Sequence, residues 1–281
     1  MKKWLGLGCG GVLALGLAMT GCGGGSDEQG QLSSGQAKLK GSFASEEWGI
    51  CDTTGGARVE LAYWVPEGKD SVNSLIKKTL ERKVIDNILS DAGGDLEDTL
   101  SKSSAEAAYE LFNKNYRDLK SEYPDAPGCW EVGIKGDTVM TTPQFLFYVM
   151  EHYAYTGGAH PNTFQSDYIF DRSTGKLIDG YAFVTDSTAL LKLVESEFRK
   201  LEKLGPQENL EEAGYFLVNH SFFLPANFTF TQKGIRLYYN PYEIAAYVRG
   251  AIALEIPYSD LNGMVDKKRI FGVIGDPHPG N

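Results

Sequence analysis

Histidine is scarce in this chain, four in 281 residues, and no HExxH run occurs; GxxxxGK[ST], GxSxG and CxxC are missing too. Those absences exclude a zincin-type metal helix, a phosphate-cradling P-loop, the nucleophile elbow of α/β-hydrolases and a thioredoxin-like dithiol. Positive charge is in short supply: 27 Lys and Arg stand against 37 Asp and Glu, a formal net charge of −10. Such a surface argues against nucleic acid or anionic lipid as partners and favours a basic one. Repeats at solenoid period are absent. Gly6 to Gly11 fits a dinucleotide fingerprint only formally, because it follows no strand and opens no βαβ unit.

One long apolar run exists, and it is N-terminal. Lys2 and Lys3 precede Trp4 to Met19, and Met19-Thr20-Gly21-Cys22 follows. A basic end, a short apolar core and a small residue before a cysteine predict a bacterial lipoprotein signal over residues 1–21, with Cys22 as the lipidated first mature residue. The run is short and glycine-rich for a membrane span. Removing residues 1–21 takes away two Lys and no acid, so −10 becomes −12. Residues 22–40, rich in Gly, Ser and Gln, predict a flexible tether. A triacylated anchor holds stably to a membrane. Gly after Cys22, rather than Asp, leans towards the periplasmic side of the outer membrane.

Four cysteines occur. With Cys9 in the signal and Cys22 lipidated, Cys51 and Cys129 remain, and an even pair in an exported protein predicts a disulfide. Closing that loop stabilises by about 4 kcal/mol in the chain-entropy model. A hydrophobic content of 42% is enough for a globular core beyond the tether.

Period-two alternation marks strands at Ser42–Ile50 and Arg58–Val65. A helix is expected from Val72 to Ser90, capped by Asp70 or Ser71, and a second from Ser103 or Ser104 to Glu122. Strands then follow at Trp130–Lys135 and Thr138–Thr142, with Gly136-Asp137 read as the turn between them. Further strands are expected at Gln144–Tyr155 and Phe164–Asp171. A helix from Thr185 or Asp186 to about Leu204 comes next, then a short one at Glu208–Gly214. Strands Phe228–Thr231, Ile235–Tyr239 and Ala251–Pro257 precede a last helical turn opened by Ser259-Asp260-Leu261. Helices and strands do not alternate, so the expected fold is α+β, helices on a mostly antiparallel sheet.

The stretch Tyr153 to Asn162 is the most suggestive. Two Gly, a His, an Asn and several hydroxyls or aromatics crowd a turn that needs far less, which marks a functional loop. Tyr155-Thr156-Gly157-Gly158-Ala159-His160-Pro161-Asn162 resembles the signature of the extracytoplasmic domain shared by RsiV-type anti-sigma factors and PdaC-type peptidoglycan deacetylases. Phe228 to Ala245, Gly250 and Glu255-Ile256-Pro257-Tyr258 resemble that family's C-terminal part. The resemblance covers roughly residues 41–265 and implies the same α+β fold. It gives one domain over 41–270, with an N-terminal half about 41–165, a C-terminal half about 166–265, and a tail at 271–281.

The candidate binding residues are Tyr153, Tyr155, Thr156, Gly157, Gly158, His160 and Asn162, joined by Tyr242 and Glu243. Tyr238, Tyr239 and Tyr247 can help line a groove, since tyrosine offers apolar area and a hydroxyl; strand aromatics more often pack a sheet. His152 and His160 with Glu151 or Asp167 have metal-ligand chemistry, but no pair has tight ligand spacing, and no metal or cofactor is expected. Glu243 near aromatics has the chemistry of a general acid; a carboxylate beside Asn240-Pro241 more often closes a turn.

The resemblance implies lysozyme binding, as in RsiV-like domains, or contact with peptidoglycan. A lipoprotein signal in place of a cytoplasmic segment and span speaks against anti-sigma activity, and no separate deacetylase domain is expected in a chain of this length. The expectation is a non-catalytic binding module of the cell envelope, bound to lysozyme, another basic protein or peptidoglycan-like glycan and held to the membrane through Cys22. An enzyme acting on cell-wall glycan through His160 and Glu243, and a structural lipoprotein, are the alternatives.

Overall fold

The computed structural model describes residues 39–93, 104–126 and 128–272. The expected signal, Cys22, the tether up to residue 38 and residues 273–281 of the tail lie outside the described residues.

Nine strands and four α-helices are described. In order they are β1 (Gly41–Gly49), β2 (Gly56–Pro66), α1 (Ser71–Ala92), α2 (Ala105–Glu122), β3 (Cys129–Thr141), β4 (Phe145–Tyr155), β5 (Asn162–Asp171) and β6 (Leu177–Ile178). Then come α3 (Ser187–Leu201), β7 (Asn227–Phe230), β8 (Gly234–Tyr239), β9 (Ile252–Pro257) and α4 (Lys267–Phe271). The first six strands form one sheet in sequence order, and β7-β8-β9 form a second. Every neighbouring pair is antiparallel except β2 and β3, which α1 and α2 separate in sequence. The fold is α+β, as the element order predicts.

Alternation along the strands builds two cores, one on each face of the large sheet. Val59, Leu61, Val132, Ile134, Leu146 and Tyr148 point to one face and pack under Ile76, Leu80, Val84 and Ile88 of α1 and Phe112 of α2. Asp70 starts α1 by accepting from the Val72 and Asn73 amides, and Ser104 starts α2 by accepting from Ala107, so both expected caps are in place. The opposite face carries Phe145, Phe147 and Ile169, which pack with Phe230, Ile235 and Leu237 of the small sheet and Leu190, Val194 and Phe198 of α3. Cys51 and Cys129 are disulfide-bonded, closing a loop with a sequence separation of 78.

Three local expectations are corrected. Gly136-Asp137 is no turn: β3 runs unbroken from Cys129 to Thr141. A Cβ on Gly136 would lie 2.3 Å from Tyr148 Oη and 2.9 Å from Tyr63 Cβ, so this glycine admits two buried rings rather than reversing the chain. Glu208–Gly214 forms turns, not a helix. The last helix starts at Lys267 after an Asp266 cap; Tyr258–Gly263 makes turns instead.

Candidate functional site

The loop after β4 holds the residues singled out in the sequence. Gly157 and Gly158 have φ of 89° and 107°, which only glycine adopts without strain. Asn162 is the first residue of β5, and Tyr155 donates its hydroxyl to the Gly158 carbonyl at 3.2 Å, closing the turn on itself. His160 crosses to the C-terminal part of the chain. Its ring stacks on Tyr247 with centroids 3.6 Å apart, and its Nε2 lies 3.1 Å from Tyr242 Oη. Tyr247 donates its hydroxyl to the Pro161 carbonyl at 2.9 Å. Tyr242 is 55% exposed and sits at φ 68°, a strained setting for a bulky side chain.

The remaining candidates do not gather at this loop. Glu243 is a brace: its carboxylate accepts the Ala226 and Asn240 amides, each at 2.8 Å. Both oxygens are thereby engaged in holding a turn. His152 is buried on the helix side, its Nε2 2.6 Å from Asp91 Oδ2 and its ring stacked on Phe164. Asp167 lies on the other face with Arg236 at 3.4 Å, so His152 and Asp167 do not share a ligand set. Among the described residues no group of three or more metal-ligating side chains occurs. Tyr239 is fully buried in the second core, and its hydroxyl donates to the Phe223 carbonyl.

Tyr153 belongs to a different feature, visible only in the pairing register. The apolar second core reaches the large sheet at Met140, Phe145, Phe147 and Ile169 and no further along β4. Further along the same strands, side chains of the same parity open to solvent at Glu60, Lys135, Glu151 and Tyr153, while Gln165 on β5 stays buried. One cross-strand row reads Glu60, Gly133, Tyr153, Thr163; the next reads Ala62, Lys135, Glu151, Gln165. These rows, apart from Ala62, floor a cleft of about 490 Å³, with Tyr238 of β8 as a wall where the small sheet ends. A shallower hollow on one side shares Glu60, Gly133 and Tyr153 and adds Arg58 and Glu131. One on the other side shares Lys135 and Glu151 and adds Phe43, Asp137 and Val149. Together they make a trough along the strands, about 20 Å from Glu131 to Asp137 at the usual rise of a strand.

Charge in the trough is uneven. Arg58 is held by Glu47 and Glu60, each at 2.8 Å. Among the described residues Glu131, Glu151 and Lys135 make no ion pair. Burial pushes the Tyr153 and Tyr238 hydroxyls up, and the fields of Glu131 on the first and Glu151 on the second push the same way. Both phenols are therefore neutral donors at ordinary pH. Sequence reading missed Glu60, Lys135, Thr163 and Gln165 as a set, since only the β2–β3 pairing brings residue 60 beside residue 133. The only sequence signal for them was their parity, opposite to the apolar positions.

The comparisons follow this architecture. A family model described as "Deacetylase PdaC" matches residues 56–163, which run from β2 to the start of β5. One described as "Protein of unknown function (DUF3298)" matches residues 183–259, which hold α3 and the small sheet. The chain carries a PdaC/DUF3298-type domain. A solved DUF3298 family structure from Bacteroides fragilis shares 22% identity at a TM-score of 0.63, covering 83% of this chain and 97% of that one. A DUF3298 family protein from Pseudomonas aeruginosa shares 18% at a TM-score of 0.57, covering 82% and 95%. At these identities the likeness is one of fold. No curated protein matches significantly. Within the PdaC/DUF3298-type domain, the floor of the trough and the His160 loop lie in the PdaC-matched segment, and Tyr238, Tyr242 and Tyr247 in the DUF3298-matched one.

Proposed function

We propose that this PdaC/DUF3298-type domain is a non-catalytic binding module of the cell envelope whose open-face trough takes a linear glycan of the peptidoglycan kind. One observation carries the reading: Tyr153 and Tyr238 line a cleft together with the hydrogen-bonding side chains Glu60, Lys135, Glu151 and Thr163. Tyrosine rings offer flat apolar area to sugar faces, and the polar groups match ring hydroxyls. A non-catalytic role is supported by Glu243, whose carboxylate is committed to two backbone amides. An envelope location, with Cys22 lipidated and the domain tethered to a membrane, accords with the leader-like first 22 residues.

A second reading, capture of a basic protein such as lysozyme, is favoured by the net charge of −10 and the open Glu131 and Glu151. Calorimetric titration with soluble peptidoglycan fragments and with a c-type lysozyme separates them. Glycan binding that Tyr153→Ala weakens about tenfold or more, with unchanged melting temperature, is the expected result. Lysozyme binding without glycan binding favours the second reading.

A further inference from the structure

The trough holds more carboxylate than a neutral sugar chain requires. Glu131 and Glu151 stand free of ion pairs among the described residues, and each lines a hollow with a tyrosine: Glu131 with Tyr153 and Glu151 with Tyr238. Arg58, the strongest base there, pairs with Glu47 and Glu60; it stands opposite Glu131 across β2–β3 and feels its charge without pairing with it. A carboxylate beside an aromatic face is the setting in which an ammonium binds, through charge pairing and the ring quadrupole together. An acetamido group, being neutral, gains neither.

We propose that the trough selects glycan whose amino sugars carry free amines over the same glycan in its N-acetylated form, with the Tyr153–Glu131 and Tyr238–Glu151 pairs as the two ammonium subsites. This rests on the glycan reading above and adds the chemical state of the sugar. Lys135, which lines the same cleft without an ion pair among the described residues, opposes the ligand charge and limits the preference.

The test is calorimetry of the purified protein with a β-1,4-linked glucosamine tetramer and its fully N-acetylated counterpart, at a pH where the amines are protonated and at low and high salt. The expected result is roughly tenfold or more tighter binding of the amine form at low salt, shrinking as salt is raised. Glu131→Gln and Glu151→Gln should each reduce that ratio several-fold, and Lys135→Gln should increase it. Glu110→Gln, on α2 across the sheet, should leave it unchanged. Equal affinity for the two forms, or tighter binding of the N-acetylated one, overturns the inference and leaves the glycan reading standing. An equal loss in Glu110→Gln also overturns it, since general charge attraction would then explain the binding. Binding of neither oligomer overturns both readings.

Discussion

The Asn240 side chain serves Gln165 as a neighbouring strand would: Asn240 Oδ1 accepts the Gln165 amide at 2.7 Å, and Asn240 Nδ2 donates to the Gln165 carbonyl at 3.0 Å. The pairing is needed because β6 covers β5 only at Ile169 and Phe170, leaving an open edge upstream. It also fixes the end of β8, with Tyr238, against the trough floor. Asn240→Ala should cost about 1–3 kcal/mol, from two part-buried backbone groups left unpaired. Urea denaturation gives the value; an unchanged midpoint would show that water replaces the amide without loss.

Asp167 sets a pH dependence. Burial pushes its carboxyl up to about 6, with Arg236 opposing the rise. A raised native value means the folded state holds the proton more tightly than the unfolded one. The group's stabilising contribution is therefore complete below about pH 4 and lost as pH rises through 6, an effect of about 3 kcal/mol from that difference. Asp167→Asn should remove this slope between pH 4 and 6. Denaturation curves of both proteins across that window check it, and identical slopes would refute the assignment.

Gly136 is predicted to resist even a methyl group. Gly136→Ala puts a carbon against Tyr148 Oη and Tyr63 Cβ, both in the first core. Overpacking there should cost about 1–3 kcal/mol. A turn glycine in the originally expected sense would show its penalty through φ instead; here φ is not in the left-handed region, so thermal denaturation reads packing alone.

His160 joins the two family-matched segments at the surface. His160→Ala removes the stack on Tyr247 and two exposed hydrogen bonds, one to Tyr242 and one to the adjoining Pro161 carbonyl, so the loss of stability should stay near 1 kcal/mol. The melting temperature should fall by only a few degrees. If glycan binding disappears while the fold persists, the loop takes part in recognition; a collapse of the fold would make it a structural fastener instead.

Much of the fold was legible along the chain because its causes are local. Period-two runs place β1, β2, β4 and β5, and the helical stripes place α1 and α2 with their Asp70 and Ser104 caps. The spare cysteine pair predicts the Cys51–Cys129 bridge that the structure contains. The failure at Gly136 has a tertiary source. Gly136 reads as a turn residue by composition, and only two rings arriving from β2 and β4 make it a strand residue.

The candidate site divides the same way. The sequence by itself determined the Tyr153–Asn162 turn, its glycines and its crowded side chains, since those follow from backbone preference. It also determined the acidic balance. Tertiary structure alone decided that His160 meets Tyr242 and Tyr247, that Glu243 braces a turn, and that Glu60, Lys135, Glu151 and Tyr238 share one trough. Parity tells which face a strand residue takes, but the register between strands far apart in sequence, and the point where the second core stops covering the sheet, are set by packing across the whole chain.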